Sequence, residues 1–215
     1  MGVRSCSFRQ IMVNLRQDIG SNDVVNAGME SGRLSGRSSL EASEAIPDGQ
    51  ISAEMLEAIN VQTEKLDGRQ RQITATIQIP HGIEQVWSVL TDYEGLADFI
   101  PSLQESRRIS HPNNGIRLEQ IGSESLLKLK FCARVVLDMV EHFPHRLSFE
   151  MVEGDFKQFS GEWQLQPCEV GTSLTYTLRV WPSRLMPVGM IERRLSKGLQ
   201  VNLISIQQRA NELFV

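Results

Sequence analysis

The sequence predicts an α+β fold: a strongly curved antiparallel sheet of seven strands wrapped round one long C-terminal helix, with two short helices after the first strand. Three observations point to it. Apolar and polar residues alternate in successive segments between Ile73 and Trp181, separated by turn signals. The period changes to three and four from Val188 to Leu213. A short stretch of helical spacing, Ile83 to Phe99, interrupts the strands near their start.

Residues 1–50 precede this pattern and are expected to form a disordered tail. Stretches such as SGRLSGRSSLEASEAIPDG carry too few large apolar groups to offset the chain entropy lost on folding. Arg4, Arg9 and Arg16 faintly resemble an import signal, so organelle import stays open, but the nearby apolar patch is broken by Asn14 and too short for a secretory core. Ser52 is placed to cap a helix, and Met55, Leu56, Ile59 and Leu66 recur at helical spacing up to Asp67-Gly68. Residues 51–68 are therefore expected to form a short amphipathic helix and linker that leans on the domain or offers a surface to a protein partner. The main domain is expected to span residues 69–215.

Within that domain Ile73, Ala75, Ile77 and Ile79 mark the first strand, closed by Pro80. Ile83, Val86, Trp87 and Leu90 mark one helix face, and a further turn through Leu96 and Phe99 ends before Pro101. Two ribbons, 103–110 and 115–123, meet at His111-Pro112-Asn113-Asn114-Gly115, whose Asn-Gly pair is a strong turn signal. From Leu127 to Met139 every odd position is apolar, and the alternation returns at Leu147–Met151, Phe159–Leu165 and Leu174–Val180. Consecutive strands with short turns make an antiparallel meander, each strand with one dry face. The closing helix, about 27 residues from its periodicity, is roughly 40 Å long at the usual rise per residue.

Composition narrows the function classes. The 215 residues are 40% hydrophobic and 22% charged, with a formal net charge of −4. The acid excess sits in the first 68 residues, with 10 acidic against 6 basic groups, while the remainder is balanced at 16 of each. A neutral main domain argues against a nucleic-acid partner, which needs a basic face. Cys6, Cys132 and Cys168 have no metal-like spacing and describe no disulfide framework, so a reducing, cytoplasmic location is expected. His81, His111, His142 and His145 fall at turns and strand ends, with no two at ligand spacing. No metal site and no catalytic set is expected.

The run Val86-Trp87-Ser88-Val89-Leu90-Thr91-Asp92-Tyr93-Glu94, followed by Leu96-Ala97-Asp98-Phe99-Ile100-Pro101, resembles the opening of the START-like polyketide cyclase/dehydrase and lipid-transport family, which includes coenzyme-Q-binding proteins. Gly161-Glu162-Trp163 is similar to a late Gly-x-Trp of the same family. The resemblance covers about residues 70 to 214 and implies the helix-grip, START-like (Bet v 1-like) fold, with a cavity between sheet and helix. It implies a hydrophobic small-molecule partner, such as a lipid, an isoprenoid quinone or a pigment-like molecule, and no other cofactor.

The residues expected to line that cavity are Trp87 and Phe99 from the short helices, Leu129, Phe131, Val135, Phe149, Phe159, Trp163, Tyr176 and Leu178 from the sheet, and Leu195, Leu199 and Leu203 from the long helix. For each, ordinary core packing is the plainer reading. Tyr176 shares parity with Leu174 and Leu178, and its hydroxyl needs a partner if buried. Arg117 and Glu119 share parity and face inward only on the less common phase of their ribbon. Asp92 and Asp98 read as helix-capping residues or part of a gate. Arg184, Arg193, Arg194 and Lys197 either touch a membrane surface or headgroup, peripherally, or form a solvated helix face. Non-catalytic binding or transport of a hydrophobic ligand is the leading expectation. A polyketide-type aromatase/cyclase or dehydratase, and a protein-interaction module, are the alternatives.

Overall fold

The structure, a computed structural model, describes residues 51–126, 129–184 and 186–215, with side chains described outside residues 123–131. The expected tail, residues 1–50, lies outside the described residues. The elements are α1 (Ala53–Glu57), β1 (Val61–Lys65), β2 (Arg71–Ile79), α2 (Ile83–Thr91), α3 (Leu96–Phe99), β3 (Leu103–Ile109), β4 (Ile116–Leu126), β5 (Leu129–His142), β6 (Arg146–Gly154), β7 (Gln158–Cys168), β8 (Gly171–Trp181) and α4 (Val188–Leu213).

The expected architecture is present with one strand more. All eight strands form one antiparallel sheet in the order β1-β2-β8-β7-β6-β5-β4-β3. The extra strand comes from the segment expected to be helical as far as Leu66. Ser52 does cap a helix, its hydroxyl accepting from Met55 N at 3.2 Å, but the helix ends at Ala58. Val61–Lys65 then pairs with β2, from Val61 opposite Ala75 to Lys65 opposite Arg71. Without it β2 would be an open edge, and β-branched Val61 and Thr63 suit a strand better than a helix. The apolar residues of the segment are also spoken for: Ile59 is buried in the domain core, Ile51, Met55, Leu56 and Val61 pack against it, and Gln200 Nε2 donates to the Leu56 and Ile59 carbonyls at 2.7 and 3.0 Å. The domain therefore begins before residue 69.

Sheet curvature comes from long strands with local irregularities. The β5–β6 register slips between Val136 and Leu137, and β3–β4 shifts between Leu103 and Glu105. At the β7–β8 turn Gly171 adopts φ +140°, and a Cβ there would strike the Ile79 carbonyl and the His81 backbone. Helix α4 lies chiefly over β1, β2 and β8. Its C-terminal half buries Leu203, Ile204, Ile206 and Ala210 there and against α2.

Strands β3 to β6 carry a chain of charges on the outer face. Glu119 accepts from Arg134 Nε at 2.6 Å and from Arg107, while Arg134 Nη1 reaches Glu153 at 2.6 Å. Arg117 grips Asp138 with two bonds, at 2.5 and 2.8 Å. Arg117 and Glu119 thus face outward, each with its own partner, and the inward pair is not formed. Leu118 and Gln120 take the concave side instead.

Candidate functional site

Between the concave face and the N-terminal half of α4 lies a cavity of about 270 Å³. Parity sets most of the sheet wall. On β5 the odd residues Ala133, Val135, Leu137 and Met139 face it, and on β4 the even residues Leu118, Gln120 and Gly122. Leu90, Tyr93, Leu96 and Ile100 close one end from α2, α3 and the loop between them. Pro187 and Met190, both exposed, also line it and place an opening at the start of α4.

An aromatic wall dominates the sheet side. Trp163 and Tyr176 are cross-strand partners on β7 and β8, stacked with ring centroids 3.6 Å apart. Phe149 lies 6.2 Å from Tyr176 and 5.7 Å from Phe159, which stacks on Phe156 at 5.1 Å. Gly161, opposite Phe149 in the β6–β7 pairing, makes room for this packing: a Cβ there would enter the Phe149 ring and the Thr177 carbonyl.

Polar groups in the lining are few. Gln120 Nε2 donates to Ser106 Oγ at 3.2 Å. The Tyr93 hydroxyl donates to Glu141 at 2.5 Å, and burial, then the Glu141 bond, push its pKa well above that of a free phenol. Burial alone pushes Tyr176 up, so it stays protonated throughout the physiological range. Its hydroxyl has no hydrogen-bond partner among the described residues and is not sealed off, which leaves it open to the cavity. Asn202, on α4, also lines the cavity, with neither amide atom hydrogen-bonded among the described residues. No Asp, Glu, His or Lys is among the described lining residues.

The cavity brings together Val135, Phe149, Phe159, Trp163, Tyr176, Leu178, Leu195 and Leu199 of the expected set. Trp87, Phe99 and Leu203 stand elsewhere. Trp87 meets Phe143 edge-on, with centroids 5.6 Å apart, Phe99 carries the Arg209 guanidinium 5.8 Å from its ring centroid, and Leu203 is wholly buried in the core. Leu129 and Phe131 lie outside the residues whose side chains are described. The basic cluster divides: Arg184, Arg193 and Lys197 are exposed, whereas Arg194 lines the cavity. Asp92 caps the C-terminus of α2 and, like Asp98, is exposed. Gln120, Gly198 and Asn202 were missed by sequence reasoning, although Gly198 and Asn202 share the face of α4 that carries the expected Leu195 and Leu199. Among the described residues no cluster of His, Cys, Asp or Glu could hold a metal, and no helix is long and apolar enough to cross a membrane.

Comparison with known proteins places this geometry. A sequence model of the family described as polyketide cyclase / dehydrase and lipid transport matches residues 79–204. No curated protein matches the chain in sequence. Among solved structures it is similar to a START superfamily protein from Mycobacterium smegmatis, with 15% identity over 66% of this chain and 98% of that one at a TM-score of 0.57. It is similar to a STAR-related lipid transfer protein from Xanthomonas axonopodis, with 14% identity, 72% and 94% coverage and a TM-score of 0.60. It is likewise similar to the Zhui aromatase/cyclase from Streptomyces sp. R1128, with 16% identity, 66% and 94% coverage and a TM-score of 0.56. At these identities the likeness is one of fold.

Proposed function

Since the chain belongs to the polyketide cyclase/dehydrase and lipid-transport family, we propose that it binds and carries a hydrophobic molecule, of lipid, isoprenoid quinone or pigment-like character, in the cavity between sheet and α4. One observation carries this reading: the wall is mostly aromatic and aliphatic, Arg194 is the charged residue among its described members, and these include no carboxylate, imidazole or amine to move a proton near neutral pH. Both lining tyrosines are held in the protonated form by burial, which suits hydrogen bonding to a ligand better than general base catalysis. A cyclase or dehydratase would need an acid and a base within reach of the substrate. The exposed Arg184, Arg193 and Lys197, at the end of α4 where the cavity opens, would face an anionic lipid surface during loading.

Organic extraction of the purified full chain followed by mass spectrometry is expected to release a co-purifying apolar compound. Delipidated protein is expected to take up a fluorescent fatty acid from anionic vesicles and to release it when competitor lipid is added. No extractable compound and no uptake would overturn the proposal. Conversion of a polyketide thioester analogue into a cyclised product would favour the enzymatic reading instead.

A further inference from the structure

The helix wall of the cavity contains a residue whose presence costs the helix stability. Gly198 lies in the interior of α4, where glycine is poorer than alanine. It lines the cavity, and among the described residues nothing stands within 4 Å of the position a Cβ would occupy. No packed neighbour, tight turn or positive φ accounts for a glycine there. One turn further along the same face is Asn202, whose Oδ1 is buried without a partner and whose Nδ2 is open. Across the cavity, on β8, the Tyr176 hydroxyl likewise has no partner among the described residues. A phenol hydroxyl and an amide N–H that face an apolar cavity without protein partners are left unpaired there. An acceptor on the ligand accounts for both of these donors, though not for the buried Oδ1.

We propose that the cavity selects an apolar molecule bearing a carbonyl-type hydrogen-bond acceptor, which meets the Tyr176 hydroxyl on the sheet wall or the Asn202 amide on the helix wall while the apolar body passes over Gly198. This rests on the cavity-binding reading above and adds to it the ligand's chemistry and the residue that sets its room. Both groups are present as donors: burial keeps the phenol protonated, and Asn202 offers its amide N–H to the open side. A pure hydrocarbon would leave both unpaired. Three classes of side chain then have separable duties, with Gly198 governing size, Tyr176 and Asn202 governing polarity, and the aromatic wall governing neither alone.

The test titrates the full chain with a matched pair, methyl naphthyl ketone and isopropylnaphthalene, which differ in little but the acceptor. The ketone is expected to bind about tenfold more tightly, the worth of one hydrogen bond to a buried donor. Tyr176→Phe and Asn202→Leu, which keep ring and volume, are each expected to weaken the ketone severalfold and to leave the hydrocarbon unchanged. Gly198→Leu is expected to weaken both probes while raising the melting temperature, an outcome that a misfolded variant does not give. Equal affinities for the two probes, with the ketone indifferent to both polar variants, would overturn the acceptor assignment while the cavity reading stood. Binding of both probes untouched by Gly198→Leu would overturn the seat over Gly198. Failure of the parent chain to bind either probe would overturn the cavity reading and this inference with it.

Discussion

The two halves of the sheet are held in different ways. Strands β1, β2 and β8 lie under α4, and Ile73, Ile79 and Leu174 are buried to within 1% on that side, against the same core as Leu203 and Ile204. Their outer face carries the hydroxyl pairs Thr74 with Thr177 and Thr76 with Thr175, and a hydrogen-bonded run from Glu64 through Gln72 to Arg179 in which a neutral amide separates the two charges. Strands β3 to β6 curve away over the cavity, where side chains meet empty volume, and on their outer face ion pairs run from Arg107 through Glu119 and Arg134 to Glu153. Apolar burial stabilises one half, and cross-strand charge ties together the half that is kept hollow. A binding cavity needs such a division, because a wall that faces vacant space cannot be stabilised by packing on that side.

Deletion in the packed half is expected to have the largest effect. Leu203→Ala removes a fully buried side chain and should cost about 3 kcal/mol, read from the urea midpoint. Leu195→Ala, at the half-buried cavity edge, should cost below about 1 kcal/mol, because it enlarges a space that already exists. Equal costs would erase the distinction between the halves.

Glu119→Gln attacks the hollow half. The carboxylate is nearly buried but its arginine partners are 54% and 35% exposed, so solvent screening limits the loss to about 1 kcal/mol. Hydrogen exchange should accelerate in β3, β4 and β5 and stay unchanged in β2 and β8. Uniform acceleration would show that the sheet responds as one unit. Gly198→Ala should act in the opposite direction, adding about 0.5–1 kcal/mol of helix stability, since its Cβ enters open space. A loss there would mean that the space is not free.

Much of this division was legible in the sequence. Among the described residues, alternation from Ala133 to Val180 marks the concave face, because parity in a strand leaves a side chain only two directions. The three-and-four spacing beyond Pro187 marks α4. What escaped was decided by partners rather than by local pattern. Val61–Lys65 has five residues and no decisive period, and it becomes a strand because β2 offers an unpaired edge. Arg194 reads as a surface charge by type, yet the turn of α4 that carries Ile191 and Leu195 brings it to the cavity as well. Trp87 belongs to an apolar helix face that points partly toward Phe143, and spacing on a helix does not say which neighbour takes which residue. Gly198 and Asn202 sit on the predicted apolar stripe as its exceptions, and such exceptions mark where a packed core gives way to a site.

Acid should sharpen the contrast with the smallest effect of the set. The bond to Arg117 holds the Asp138 carboxyl below its ordinary value; at Glu119 burial pushes the pKa up, and Arg134 and Arg107 together outweigh it and bring it down. In both cases the folded-state pKa lies under the unfolded one. The unfolded chain therefore takes up protons first as the pH falls, and the stability these pairs contribute is complete above the ordinary carboxylate values of about 4 and is lost as the pH drops through the lowered ones. Urea midpoints should be flat in this contribution from about pH 7 to 5 and then decline. Because both carboxylates lie on β4 and β5, exchange in those strands should quicken before exchange in β2 and β8, which are joined on the outer face by the Thr74–Thr177 and Thr76–Thr175 hydroxyl pairs and by the Gln72–Arg179 bond, none of them an ion pair. The double variant Glu119→Gln, Asp138→Asn should flatten the decline without abolishing it, since other carboxylates remain. A decline of unchanged steepness, or one that begins in β2 and β8, would show that the charges on the outer face do not hold the hollow half together.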